Sequence, residues 1–201
     1  MAVLWTAHRF AGGVLALDAA NTVVLRGDPR GFDRFAEPIE IARFAEAAGR
    51  FRREELGNRR LSVADPEAVR PLVLEIREAT DSLFRGAVQK GRYGGGALPR
   101  LLRACAAGLE GHDDLGLGER PFGDPATPLA FEAALAVSAL SLLSTGTTAR
   151  LRICPNCNWL FLDRSRNSSR LWCDMAVCGN RQKARRHYRR RLAAQEGLAD
   201  A

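Results

Sequence analysis

The stretch Cys154–Arg191, CPNCNWLFLDRSRNSSRLWCDMAVCGNRQKARRHYRRR, decides how the rest of the chain is read. Two close cysteine pairs bracket an aromatic run, and the chain then turns almost wholly basic. The spacing is Cys154-x2-Cys157, 15 intervening residues, then Cys173-x4-Cys178. Pairs at this separation suit tetrahedral zinc, because each sits on a tight turn and the segment between them folds back to close the site. Four thiolates leave no open coordination position, so the expected cofactor is one structural Zn2+. Pro155 and Asn156 supply turn chemistry in the first knuckle, and Gly179 offers backbone freedom after Cys178. Two alternatives are weaker. Four unrelated thiols would not pair so regularly beside a basic segment. A set using His187 draws on a residue inside a helical run, and Cys105 in LLRACAAGL reads as a small core residue.

Trp159, Phe161, Leu162 and Trp172 fall inside this module. They read either as base-stacking platforms or as the miniature core that a metal-stapled segment below about 40 residues requires. The size of the segment favours the core.

From Asn180 to Gln195 there is no Gly or Pro, and the residues are strong helix formers. On such a helix Arg181, Arg185 and Arg189 share one face, with Arg186 and Arg190 beside them. Like charges at i,i+4 cost an isolated helix about 0.2–0.5 kcal/mol per pair. Anchorage on the zinc knuckle and a phosphate partner would offset that cost. Arginine's planar fork suits phosphate or guanine edges. The candidate nucleic-acid contacts are therefore Asn180, Arg181, Lys183, Arg185, Arg186, Arg189 and Arg190. Arg164, Arg166 and Arg170, between the knuckles, add backbone contacts, and Ser165, Asn167, Ser168 and Ser169 add neutral donors. The competing reading is a solvated basic tail that binds nothing specifically or pairs with acids of the preceding domain. Neither charge nor knuckle separates duplex DNA from structured RNA.

The whole chain agrees with this placement. Residues 150–191 hold 12 Lys/Arg against two acids, Asp163 and Asp174, whereas residues 1–149 hold 18 Lys/Arg and 19 Asp/Glu. The net +7 thus resides in the C-terminal quarter, the footprint of a polyanion binder. With 201 residues and 46% hydrophobic content the chain can bury a substantial core. No apolar run approaches the roughly 20 residues that span a bilayer. The N-terminus lacks a signal-peptide pattern, and the cysteines do not form a disulfide framework, so a reduced, cytoplasmic setting is expected.

Upstream, the pattern predicts an α+β, mostly helical fold. A helix-rich domain with short strands (1–148) precedes a small zinc-binding module with a basic C-terminal helix (149–201). The apolar run in AGGVLALDAANTVV reads as a strand. GFDRFAEPIEIARFAEAAG reads as a turn and a helix, with Pro38 in its first turn, Ile39, Ala42, Phe44 and Ala45 on its apolar side, and Gly49 as its stop. A second helix carries Leu72, Ile76, Leu83, Phe84 and Ala87 to a stop at Gly91, and starts at either Asp65-Pro66 or Pro71. YGGG at 93–96 is a loop and Leu98–Leu109 a third helix. GHDDLGLGERPFGDP is loops and short strands. A last helix from Thr127-Pro128, apolar nearly all round, is expected at the domain centre and ends at a joint near STGT.

Cys178-Gly179-Asn180-Arg181, with Asp163, Arg164, Ser165, Arg166, Asn167, Trp172 and Met175, closely resembles the CGNR zinc finger. LALDAANTV, the GFDRF…IARFAEAAG helix and the later apolar helix resemble the ABATE domain usually found upstream of it. Together the resemblances imply a bacterial, stress-linked transcription regulator: a sensing domain ahead of a zinc-dependent DNA-binding one.

If the first domain senses a small molecule, the polar residues in an apolar setting, Asp18, Asn21 and Thr22, with His8 or Arg9 nearby, are the candidate site. The bland reading is that they satisfy local turn and helix-start amides. Three functions compete: a regulator binding duplex DNA, an RNA-binding accessory protein using the same zinc-anchored helix, and an enzyme. Catalysis is the least expected. There is no Gly-rich phosphate loop and no HExxH, and none of the three histidines, His8, His112 and His187, has an evident catalytic neighbour. A homodimer would help a small reader gain specificity, although no heptad pattern demands one.

Overall fold

The computed structural model describes residues 3–112 and 128–199, with side chains to 191. Most of the predicted 111–125 loop, and Thr127, lie outside these residues. Among the described residues no helix is long and apolar enough to cross a membrane. The architecture is α+β and mostly helical: among the described residues a 3-10 turn, six α-helices and short strand pairs precede a β-hairpin, the cysteine cluster and a long basic helix.

The apolar run at the N-terminus forms a helix, α1 (Leu15–Ala20), and not the expected strand. Every residue of α1 is buried, so no polar face exists to reveal a helical period. Six residues are too few to be helical by propensity. Tertiary partners hold the turn instead: the Glu55 carboxylate accepts from Leu15 N–H at 2.9 Å, and Ser138 Oγ accepts from Ala16 N–H at 3.0 Å. Those groups cap the free amides of the first turn from elsewhere in the chain.

The strand pair β1 (Val23–Val24) and β2 (Phe32–Asp33) is antiparallel. Helix α2 runs Ile39–Phe51. Its buried face is Ile41, Phe44, Ala45, Ala47 and Ala48, while the expected Ile39 is exposed, and Gly49 lies inside the helix instead of ending it. Phe44 packs against Trp5, Phe10, Phe35 and Phe131 with ring centroids 5.0–5.8 Å apart.

Helix α3 spans Pro66–Lys90. Asp65 caps it, accepting from the N–H groups of Glu67 and Ala68, and Gly91 in a left-handed conformation ends it. Of the two starts left open by the sequence, Asp65-Pro66 is the real one, and Pro71 sits inside the helix. Strand β3 (Leu61–Ser62) pairs in parallel with β4 (Leu129–Ala130). Helix α4 runs Ala97–Leu109, and α5, Phe131–Ser141, begins after β4 instead of at Pro128. Helices α1, α3, α4 and α5 pack on one another around the core. The STGT joint is a short helix, α6 (Thr145–Thr148).

The antiparallel hairpin β5 (Leu151–Ile153) and β6 (Leu160–Leu162) joins the two parts. Alternation along β6 gives it two faces. Leu160 and Leu162, with Leu151 of β5, enter the core of the helical domain, while Phe161 joins Trp159, Cys154, Cys173 and Cys178 in a second cluster. Trp159 and Phe161 are thus part of the module's own core.

Candidate metal centre and nucleic-acid interface

Cys154 and Cys157 sit on the loop between β5 and β6. That loop closes through Cys154 N–H donating to the Trp159 carbonyl and Asn158 N–H donating to the Cys154 carbonyl. The residue that turns it is Asn158, at φ +62°, a conformation Asn tolerates better than most. The second pair frames a π-helical turn, Met175–Gly179, capped by Asp174, whose carboxylate accepts from Ala176 N–H at 2.8 Å and Val177 N–H at 3.2 Å. Gly179 has no left-handed φ, contrary to its expected role. A Cβ there would lie 2.4 Å from Met175 Sδ, the flexible end of a half-exposed side chain, so the glycine lets Met175 fold closely over the turn.

The four sulfurs lie within 4.8 Å of one another. The Cys157–Cys173 and Cys173–Cys178 pairs are 3.5 and 3.6 Å apart. A tetrahedron with Zn–S of about 2.3 Å places its sulfurs about 3.8 Å apart, so the cluster fits one zinc ion. A divalent cation at their centre stabilises all four as thiolates together. Cys154, Cys157, Cys173 and Cys178 form an all-thiolate site for one structural Zn2+, closed to further ligands. His187 lies on the basic helix, and Cys105 is buried in α4 with its thiol pushed up to about 11 by burial.

Between the knuckles, Asp163 organises the loop. Its two oxygens accept from Ser165 N–H at 2.8 Å and Arg170 N–H at 2.9 Å, and hydrogen bonding from Ser165 holds the carboxyl below its usual range. Arg170, expected on phosphate, donates through Nε to the Trp172 carbonyl at 2.9 Å and through Nη2 to the Cys173 carbonyl. Its guanidinium also lies 5.6 Å from the Phe161 ring centroid, so its first task is holding the second knuckle. Arg166 is exposed. Arg164 lines a cleft of about 350 Å³ with Gly13, Arg50, Arg52, Arg53, Glu54 and Glu55.

Helix α7 (Asn180–Ala199) continues directly from the π turn. Asn180 Nδ2 donates to the Ala176 carbonyl at 2.9 Å and Gln182 Nε2 to Asn156 Oδ1 at 3.1 Å, fixing the first turn to both knuckles. From 180 to 191 every residue but Gln182 is exposed. Arg181, Lys183, Arg185, Arg186, Arg189 and Arg190 have no salt bridge among the described residues, and apart from a 3.5 Å hydrogen bond from Arg185 to Asn156 Oδ1 they present their charges to water. Cations on the first turn also oppose the helix macrodipole, and an anion there relieves both effects.

The candidate sensor residues are interior. Asp18 accepts from Gly12 N–H at 2.8 Å and Arg52 Nε at 2.5 Å. Thr22 donates to the Ala19 carbonyl at 2.7 Å and accepts from Arg77 at 3.2 Å. Asn21 exchanges hydrogen bonds with the backbone of Leu160. Each is at most 2% exposed, and the third binds the zinc module to the helical domain.

Other ties were not visible in the sequence. Arg85 of α3 donates to the Asn158 carbonyl at 3.0 Å, and Gly12 O accepts from Leu162 N–H. His8 Nδ1 pairs with Asp174 at 2.9 Å while its ring stacks on Trp159 at 5.2 Å. Asp163 and Asp174 did carry a signal, as the two acids in a basic stretch.

Two family models match the chain. The CGNR zinc finger matches residues 150–191, and the ABATE model, whose description reads "Putative stress-induced transcription regulator", matches residues 13–146. Their order is the one the motifs imply. No curated protein matches.

Proposed function

The chain belongs to the ABATE family, whose model covers most of its length, and on that premise we propose that it is a zinc-dependent transcription regulator that binds duplex DNA through α7 and acts by binding, without catalysis. One observation carries this reading. A helix bearing exposed Arg181, Lys183, Arg185, Arg186, Arg189 and Arg190, without acidic partners among the described residues, grows directly out of a closed four-cysteine site and is pinned to both knuckles. Zinc thereby sets the direction of the helix, and the arginines supply forks for phosphates and for guanine edges in a major groove. An arginine tail hung on a flexible linker would have charge without direction.

The proposed signal input is the N-terminal domain. Asp18, Asn21 and Thr22 are committed to internal partners, so the support for an effector lies elsewhere. A cleft of about 440 Å³ between α2 and residues 58–63 is lined by Ala42, Ala45, Leu61 and Val63, with Arg50, Arg53 and Arg60 outnumbering its one acid, Glu46, which suits an anion with an apolar body.

Selection of bound sequences from a random duplex pool by the zinc-loaded protein tests the regulator reading. Enrichment of a recurring motif is the expected result. A pool that stays random, with hairpin RNA preferred over duplex, would favour an RNA-binding accessory role for the same surface.

A further inference from the structure

Arg9 and Arg34 of the N-terminal domain lie around His8 and Trp159, beside the capped turn from which α7 starts. Arg34, following β2, is 5% exposed; its guanidinium lies 5.5 Å from the ring centroids of both Phe32 and Trp159, and it donates to the Asn21 carbonyl at 3.3 Å. Arg9 lies in the 3-10 turn Ala7–Phe10, next to His8, which stacks on the same Trp159 and pairs with the cap residue of the π turn. The Nε of Arg9 is buried and has no hydrogen-bond partner among the described residues. Arg181 opens α7.

These groups feel one another as like charges. Burial and then Arg181 pull the Arg9 guanidinium below its ordinary range; burial and then Arg9 push Arg34 down to about 10. Among the described residues none of the three is salt-bridged. Asp33 opposes that lowering at Arg34, but it is itself held by Arg77 at 2.7 and 2.8 Å, and Asp174 is held by His8 and two backbone amides. Gathering guanidiniums at the edge of a low-dielectric interior, one with a buried unpaired N–H, is unfavourable for the fold alone. An anion reverses the sign.

We propose that Arg9, Arg34 and Arg181 form a phosphate site at which the backbone of bound DNA passes from α7 onto the N-terminal domain. Arg9 and Arg181 supply donors for phosphodiester oxygens, and Arg34, largely buried, supplies charge where screening is weak. The site rests on the DNA-binding reading and adds to it that the ABATE domain is itself part of the interface, so a change in that domain alters DNA affinity through direct contact.

The test is a salt series of duplex binding by the full zinc-loaded chain, comparing wild type with Arg9→Ala and with Arg103→Ala, a charge-matched change at an exposed position on α4. Arg9→Ala is expected to weaken binding about 5–10-fold at about 0.15 M salt and to lower the salt slope by about one, and Arg103→Ala to do neither. Its thermal stability should stay level or rise, because an unpaired buried N–H is removed. Should the alanine variant fail to fold, Arg9→Gln, which keeps most of the stem, gives the same reading. Wild-type binding that Arg9→Ala or Arg9→Gln leaves unchanged would overturn the phosphate site alone. A wild type without affinity for duplex would overturn it together with the regulator reading.

Discussion

Asn21 Nδ2 donates to the Leu160 carbonyl at 2.8 Å, and Leu160 N–H donates back to Asn21 Oδ1 at 3.0 Å, closing a two-point bond between groups 139 residues apart in the chain. One residue of the helical domain thereby completes the outer edge of the zinc module's hairpin. The Asn21 ring, the Gly12–Leu162 backbone bond, the Arg85–Asn158 contact and the His8–Asp174 pair fasten the module to its neighbour at several points. The module is docked, and the direction of α7 is set relative to the whole protein.

Replacing Asn21 by Ala leaves the Leu160 N–H and C=O buried without partners, at about 1–3 kcal/mol for each group. The expected loss is about 2–6 kcal/mol, a Tm lower by about 4–24 °C for a chain of this size. Zinc stoichiometry should persist, since the four ligands are untouched. Thermal unfolding with metal analysis checks it, and a loss below about 1 kcal/mol would show that the docking does not depend on this ring.

Metal removal should have a much larger effect. Structural zinc in small modules contributes about 10–16 kcal/mol of apparent binding free energy at pH 7. The second cluster is built of Cys154, Cys173, Cys178, Trp159 and Phe161, so chelation should expose Trp159, shift its fluorescence to the red, and abolish duplex binding. Cys157→Ser should lose the ion, whereas Cys105→Ser should retain one equivalent.

Substitution at Gly179 tests the packing of the π turn. A Cβ would meet Met175 Sδ at 2.4 Å. The clash is with the end of a flexible side chain that is 51% exposed and can turn aside, so Gly179→Ala should leave zinc retention against a competing chelator nearly unchanged, and Gly179→Ala with Met175→Ala should match it. Marked zinc loss in the single variant, restored in the double, would show that Met175 is held in place.

The pH dependence of stability should carry a signature of Asp18. Burial pushes its carboxyl up to about 7, against the opposing pull of Arg52, while an unfolded Asp titrates near 3.8. The folded state therefore binds the proton more tightly, so the Asp18 contribution favours folding at low pH and is lost as pH rises from about 4 through about 7. Urea unfolding across that window should show a wild-type slope with a component falling toward neutral pH, and Asp18→Asn should lack it. Equal slopes in the two proteins would place the Asp18 pKa near its ordinary value.

Helix and metal signals were legible in the sequence where they are local. The C-x2-C and C-x4-C pairs, the Asp65 cap, the Gly91 stop and the unbroken basic helix each depend on residues within a few positions. Some local signals failed, as at Gly49, which lies inside α2, but the larger departures depend on distant partners. The run at 15–20 is helical because Glu55 and Ser138 cap it and because all its faces are covered, and neither fact leaves a period in the sequence. Asn21 could be marked as a polar residue needing a partner, but the identity of that partner, Leu160, follows only from the docked hairpin. Arg170 looked like its basic neighbours, and only the fold assigns it to the Trp172 and Cys173 carbonyls.

Duplex reading by zinc-anchored α7 can be measured by fluorescence anisotropy. A salt series on duplex from the region upstream of the protein's own gene, with unrelated duplex and hairpin RNA as competitors, should be run on wild type, Arg185→Ala and the chelated protein. The account predicts binding to the upstream duplex that survives about 0.15 M salt and resists both competitors. Arg185→Ala should weaken it without lowering Tm, and chelation should remove it. Equal affinity for every polyanion, with a steep salt slope that neither Arg185→Ala nor zinc removal changes, would contradict it.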